Sequence, residues 1–280
     1  MMMKKIHRFP VFPGSPPAEG PNLIKIASGK GGVGKTWFSI TLAQCLSLTG
    51  RKILLFDADL GLANADVQLG ASARHSLADV IAGKVALHTA TQVTGGNARG
   101  HGDIHLLAGR SGTGSLSELN HSEINRLRRG LLLASAHFDH SIVDIGAGLD
   151  RTVTSFCALP GSVLVVITNE PTSLTDAYAL IKLLVMRDPG TDIRIVVNMA
   201  KNERDGQHAY ASLHRACEAF LHVSPPLAGI IPRDDWVGEA IRRQTGLLIR
   251  HPSSPAAHAV ALIARDIVKA SKARAAGRAG

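Results

Sequence analysis

The sequence predicts an α/β fold: a single doubly wound domain, with a mostly parallel sheet of about 7–8 strands and helices on both faces. Three observations predict it. Short apolar runs alternate with longer helical patterns along most of the 280 residues. Most of these runs are continuous in Val, Ile and Leu rather than alternating, the mark of strands covered on both faces. The composition, 45% hydrophobic but only 4% aromatic, supplies a sizeable core made mostly of Ala, Leu, Val and Ile.

In chain order, strands are expected at 23–28, 52–57, 104–108, 141–145, 162–168, 193–198 and 227–231, each a short apolar run. Between and after them the apolar spacing turns helical, at 36–49, 117–136, 172–187, 207–221, 234–244 and 255–270. A parallel neighbour cannot be reached through a tight turn, so each helix serves as a crossover. No internal repeat is present. Residues 1–21, with Pro10, Pro13, Pro16, Pro17 and Pro21 among Gly and Ser, read as a flexible leader. Residues 22–270 form the domain, and 271–280, made of Ala, Gly, Ser, Lys and Arg, read as a basic flexible tail.

Bulk properties exclude several classes. No apolar run approaches the roughly 18–20 residues of a membrane span. The leader has a basic start but no apolar stretch of the secretory kind. Cys45, Cys157 and Cys217 are far apart and form no CxxC, which suits a reducing compartment and leaves no cluster or zinc site. The histidines are read as surface or core residues without a catalytic role. The formal charge is +9, with Arg265, Lys269, Lys272, Arg274 and Arg278 near the end, yet no basic stripe runs through the domain, so nucleic acid is disfavoured as a partner.

The strongest motif is Gly29-Lys30-Gly31-Gly32-Val33-Gly34-Lys35-Thr36. It matches GxxxxGK[ST] between a strand and a helix, the context that a phosphate-binding loop requires. Glycines let backbone N–H groups converge on phosphate oxygens, and the helix start adds its positive dipole end. Lys35 is expected on the β- and γ-phosphates and Thr36 on Mg²⁺, with Trp37 completing the cofactor-binding stretch. Two strands then end in acids. Asp57 and Asp59, two residues apart, would share one face if the strand continued. Asp144 closes the run of 141–145 ahead of Gly146 and Gly148, in the form of a Walker B strand with a mobile loop, and is expected to hold a Mg²⁺-bound water.

The extra lysine, in KGGVGKT, gives the chain its resemblance to the MinD/ParA family of deviant Walker A P-loop ATPases. The resemblance covers about 22–270 and implies an ATPase using ATP/ADP and Mg²⁺ that forms a homodimer with ATP. It implies that Lys30 crosses the dimer interface to the partner's nucleotide, that Asp59 orients the attacking water, and that Asp57 supports the metal shell. It also implies adenine contacts from Asn198 and from Pro232, Arg233 and Asp234, an Asn amide offering both donor and acceptor. Within the family, DADLGLANADVQLG, Asp144-Ile-Gly-Ala-Gly-Leu and the segment from Ile231 through Gln244 look most like the FlhG branch, also called FleN or YlxH.

That branch implies control of flagellar number and placement, slow turnover stimulated by a partner or membrane, and a cytoplasmic protein peripheral at the inner membrane or cell pole. Implied partners are an FlhF-type GTPase, a transcription activator or basal-body switch proteins. The alternative is another positioning ATPase, for cell division or DNA partition. The branch's Asp-Gln-Ala segment, which activates the GTPase, is not found in residues 1–21. Bulky apolar residues stop at Val268, so a weak or transient membrane contact is the expectation.

Overall fold

The computed structural model describes residues 22–59, 63–71, 75, 77–81, 84–85, 87–94, 102–109 and 119–278. The expected leader, the Leu60–Gly61–Leu62 stretch and the 117–118 helix start lie outside them. Among the described residues, eight strands form one sheet: β1 (Leu23–Ser28), β2 (Ile53–Ala58), β3 (Gln92–Thr94), β4 (Ile104–Leu107), β5 (His140–Ala147), β6 (Ser162–Ile167), β7 (Ile193–Ala200) and β8 (Leu227–Pro232). Their order is β3-β4-β2-β5-β1-β6-β7-β8. All neighbours run parallel except β3 against β4 at one edge. The doubly wound, mostly parallel expectation is what the chain adopts.

The helices are α1 (Lys35–Ser47), α2 (Ala65–Leu69), α3 (Leu77–Ile81), α4 (Leu87–Ala90), α5 (His121–Ser135), α6 (Arg151–Cys157), α7 (Pro171–Arg187), α8 (Glu203–Leu221), α9 (Asp235–Arg242), α10 (Leu247–Arg250) and α11 (Pro255–Arg278). Side-chain alternation along each strand sorts the core into two layers. On β1, Leu23 and Ala27 join the layer of α5, α6, α7 and α8, while Ile24 and Ile26 join the layer of α1 and α11. On β2, Leu54 and Phe56 face the first layer, Ile53 and Leu55 the second. Each such buried Leu, Ile or Phe contributes about 1.5–3 kcal/mol from removal of apolar surface from water.

Several boundaries differ from expectation for local reasons. The α5 helix starts at His121 because Asn120 and Glu123 form a reciprocal capping box. The α8 helix begins four residues before 207, since Asn202 accepts the Asp205 N–H at 2.9 Å and acids occupy its first turn. The α11 helix continues past residue 270 to Arg278. Ala, Lys and Arg are all strong helix formers, which favours this extension.

One interior residue breaks the apolar pattern. Lys25, in mid-β1, is fully buried, and its Nζ donates to the carbonyls of Leu159 at 2.5 Å, Pro160 at 3.2 Å and Gly161 at 2.8 Å. Burial pushes its pKa down to about 8, opposed by Cys157 and Asp192 nearby. The lysine thus ties the α6–β6 connection to the central strand. Among the described residues no helix is long and apolar enough to cross a membrane.

Candidate functional site

The site grows from the carboxyl ends of β1, β2 and β5, where an open parallel sheet forms its ligand crevice. The chain leaves β1 at Ser28, loops through the glycines and enters α1 at Lys35. Gly32 and Gly34 have φ of 79° and 88°, a left-handed conformation that a side chain resists. Gly34 is doubly constrained, because a Cβ there would collide with the Asn198 side-chain amide. Asn198, buried at the end of β7, donates from Nδ2 to the Val33 carbonyl at 2.8 Å. Val33 itself is buried in the α1 layer.

Lys35 is buried and curls back over the loop, its Nζ donating to Ser28 Oγ at 2.9 Å. The Ser28 hydroxyl in turn donates to the Lys30 carbonyl at 2.6 Å. Burial lowers the Lys35 pKa, while Asp144 and Asp59 hold it up. Lys30 lies at the surface, with Nζ 2.6 Å from Glu170 Oε2 and 2.9 Å from Thr172 Oγ1. Both partners stand at the start of α7.

The two strand-end acids meet in register, Asp57 of β2 beside Asp144 of β5. Alternation turns both toward α1, where Ser39 Oγ donates to Asp144 Oδ1 at 3.1 Å. Asp144 Oδ2 is buried and makes no well-formed hydrogen bond. Asp57 accepts from the backbone N–H of Asp59 at 3.1 Å and of Asn64 and Ala65 at 3.0 Å each, and so pins the segment after β2. Burial raises the pKa of both acids, and for Asp57 the neighbouring Asp144 raises it further against those three backbone donors. Thr36, Lys35 and Ser39 pull Asp144 the other way. Two buried carboxylates in contact repel unless a proton or a cation is shared between them.

Asp59 also lines the cleft, and a side chain built at Gly146 would meet its carboxylate at 3.4 Å. The segment after β5 is tied to the loop strand by Gly148 N–H on the Ser28 carbonyl at 3.1 Å. The whole cleft measures about 870 Å³, and its lining includes Gly31, Gly32, Gly34, Lys35, Thr36, Trp37, Asp59, Gly146, Met199 and Ile241. Such a volume accommodates a nucleotide.

The geometry thus gathers Gly31, Gly32, Gly34, Lys35, Thr36, Trp37 and Asp59 around one space, with Asp144 and Asp57 just behind. The adenine segment is placed differently. Asn198 gives one amide N–H to Val33, and Asp234 caps α9 by accepting from Trp236 N–H at 3.0 Å while also accepting from Ala256 N–H at 3.1 Å. The Arg233 N–H binds the Ala200 carbonyl at 2.8 Å, which fixes Pro232 at the end of β8. None of these four lines the cleft; Met199, φ 58°, does. Gly29 packs against the α7 backbone at Asp176, where a Cβ would collide.

Sequence reasoning missed Ser28, Ser39, Glu170 and Thr172. Ser39 could have been found, three residues past Thr36 on the same helical face. Glu170 and Thr172 follow a strand end next to β1 in the sheet, a signal that requires the strand order. His137 and His140 stand in an HxxH spacing, yet among the described residues no group of three or more metal-ligating side chains assembles.

The residues fit a nucleotide with Mg²⁺: the orphaned Asp144 oxygen and the open cradle at Gly32, where nothing stands within 4 Å of a Cβ position, are what such a ligand needs. Residues 24–248 match the family described as the CobQ/CobB/MinD/ParA nucleotide binding domain. The antiactivator FleN of Pseudomonas aeruginosa is 39% identical over 88% of this chain and 85% of its own. The flagellum site-determining protein YlxH of Helicobacter pylori is 32% identical over 70% of this chain and 64% of its own. The septum site-determining protein MinD of Pyrococcus horikoshii, solved with Mg-ADP, superposes with a TM-score of 0.73 at 25% identity, covering 88% of this chain and 95% of that one. A complete two-lysine loop, strand-end acids in register and a match across most of the domain all agree: the chain belongs to the CobQ/CobB/MinD/ParA family of nucleotide-binding proteins.

Proposed function

We propose that this protein is an ATP-hydrolysing switch that pairs with a second copy when loaded and governs where, and how many, flagella are built. The observation that carries the switch is the P-loop with a second lysine, Lys30 at its rim and Lys35 buried beneath it. The flagellar part is supported by the likeness to FleN and to a flagellum site-determining protein.

Bound ATP with Mg²⁺ supplies an electrophilic terminal phosphoryl group whose charge grows as it transfers. Backbone N–H groups of Gly31 through Lys35 cradle the phosphates. The Lys35 ammonium leaves Ser28 for the β- and γ-oxygens. Thr36 would hold the metal and Asp144 would support it from behind, while Asp57 keeps the segment bearing Asp59 in register. Asp59 orients the water that attacks. Lys30 of each copy reaches the other copy's phosphates and offsets the developing charge.

Sizing the protein with ATP, ADP or no nucleotide tests the pairing. The Asp59→Ala variant is expected to accumulate as an ATP dimer; a monomer at saturating ATP would overturn the sandwich. Deleting the gene is expected to change flagellar number, and normal flagellation would defeat the flagellar reading.

A further inference from the structure

Lys30, the residue on which pairing depends, is already engaged within its own chain. Its ammonium sits 2.6 Å from Glu170 Oε2 and 2.9 Å from Thr172 Oγ1. Glu170 occupies the N-cap position of α7 but makes no capping hydrogen bond with its side chain. Its carboxylate is therefore committed to the lysine rather than to the helix end. The geometry is also framed by backbone: Gly29 abuts α7 at Asp176 too closely for any Cβ, so the loop and the α7 start form one surface. Neither Glu170 nor Thr172 lines the nucleotide cleft.

From this we infer that Glu170 and Thr172 are positioning residues which hold Lys30 in cis in the unloaded monomer, so that pairing must first break this contact. The inference rests on the reading that Lys30 acts across a dimer interface. An ammonium held by its own carboxylate is not available to a neighbour's phosphates, and two copies must each surrender one such contact. The pair is partly solvated, with side-chain exposures of 36% and 61%, so each contact is weak and the latch is reversible. Loading then competes on favourable terms, because a phosphate group offers more negative charge than a single carboxylate.

Sedimentation of the full chain with Mg²⁺ and a non-hydrolysable ATP analogue, over a range of protein concentrations, tests this. Glu170→Gln is expected to lower the dimer dissociation constant about three- to tenfold, the scale of two exposed ion pairs. Thr172→Val should move it less, in the same direction. Affinity of the dilute monomer for a fluorescent analogue should stay level, which a distorted loop would not allow. An unchanged or weaker dimer for Glu170→Gln, with matching melting temperature, overturns the latch. Lys30→Met separates the two ideas. If it fails to dimerise, the interface role stands whatever Glu170 does; if it pairs like the parent chain, the interface role falls, and the latch with it.

Discussion

At the residue scale, the acids at the ends of β2 and β5 set the site's electrostatics. Asp57 and Asp144 both titrate above the ordinary carboxylate range, chiefly through burial. A folded-state pKa raised above the unfolded one means that the native chain holds protons more tightly, so this pair's contribution to stability is fully present below about pH 4 and is lost as pH rises through their raised range. A divalent cation held near Asp144 would offset the repulsion between the two carboxylates. The melting temperature gained on adding Mg²⁺ and ADP should therefore grow from pH 5 to pH 8. Asp144→Asn should raise the unloaded protein's stability at pH 8 by on the order of 1 kcal/mol while cutting the gain from ligand. A ligand-induced gain that stays level with pH would count against the shared charge. Neither shift was legible in the sequence: DAD and the run to Asp144 named the residues, but their coupling needs the register that seats them side by side.

At the element scale, the phosphate loop is held by a strand that lies two places away in the sheet. Asn198 of β7 supports Val33 and fills the space a side chain at Gly34 would take. Asn198→Ala leaves a buried carbonyl unsatisfied, at a cost of about 1–3 kcal/mol. Because the deficit falls on the loop, nucleotide affinity should drop about tenfold while the circular dichroism spectrum stays native; calorimetric titration of ADP with Mg²⁺ measures it, and unaltered affinity would show the loop to be rigid without its support. The long elements were readable because their apolar pattern is strong: α7 was expected at 172–187 and lies at Pro171–Arg187. Short ones were not. The α2, α3, α4 and α10 helices have four or five residues each, too few for a periodicity to register. The start of α8 eluded the reading because polar caps, not apolar spacing, define it.

At the scale of the whole molecule, one arrangement produces both the stability and the chemistry. A central strand flanked by β5 and β6 places the loop in mid-sheet, so the cleft is built on the least deformable part of the fold. The class of the fold followed from the continuous Val, Ile and Leu runs, since only a sheet covered on both faces buries them. Strand order did not follow, because periodicity says nothing about which neighbours pair. For that reason the acids and P-loop were foreseen individually, whereas Glu170 beside Lys30 was not.

The three-residue β3, running against the grain at one edge, has a consequence of its own. Proteins gathered at high local density are at risk of growing strand upon strand into fibres, and a long open rim invites it. Here the outermost strand on that side is brief and reversed in direction. It offers an incoming chain few unpaired amides, so on that side there is little length on which another strand could add.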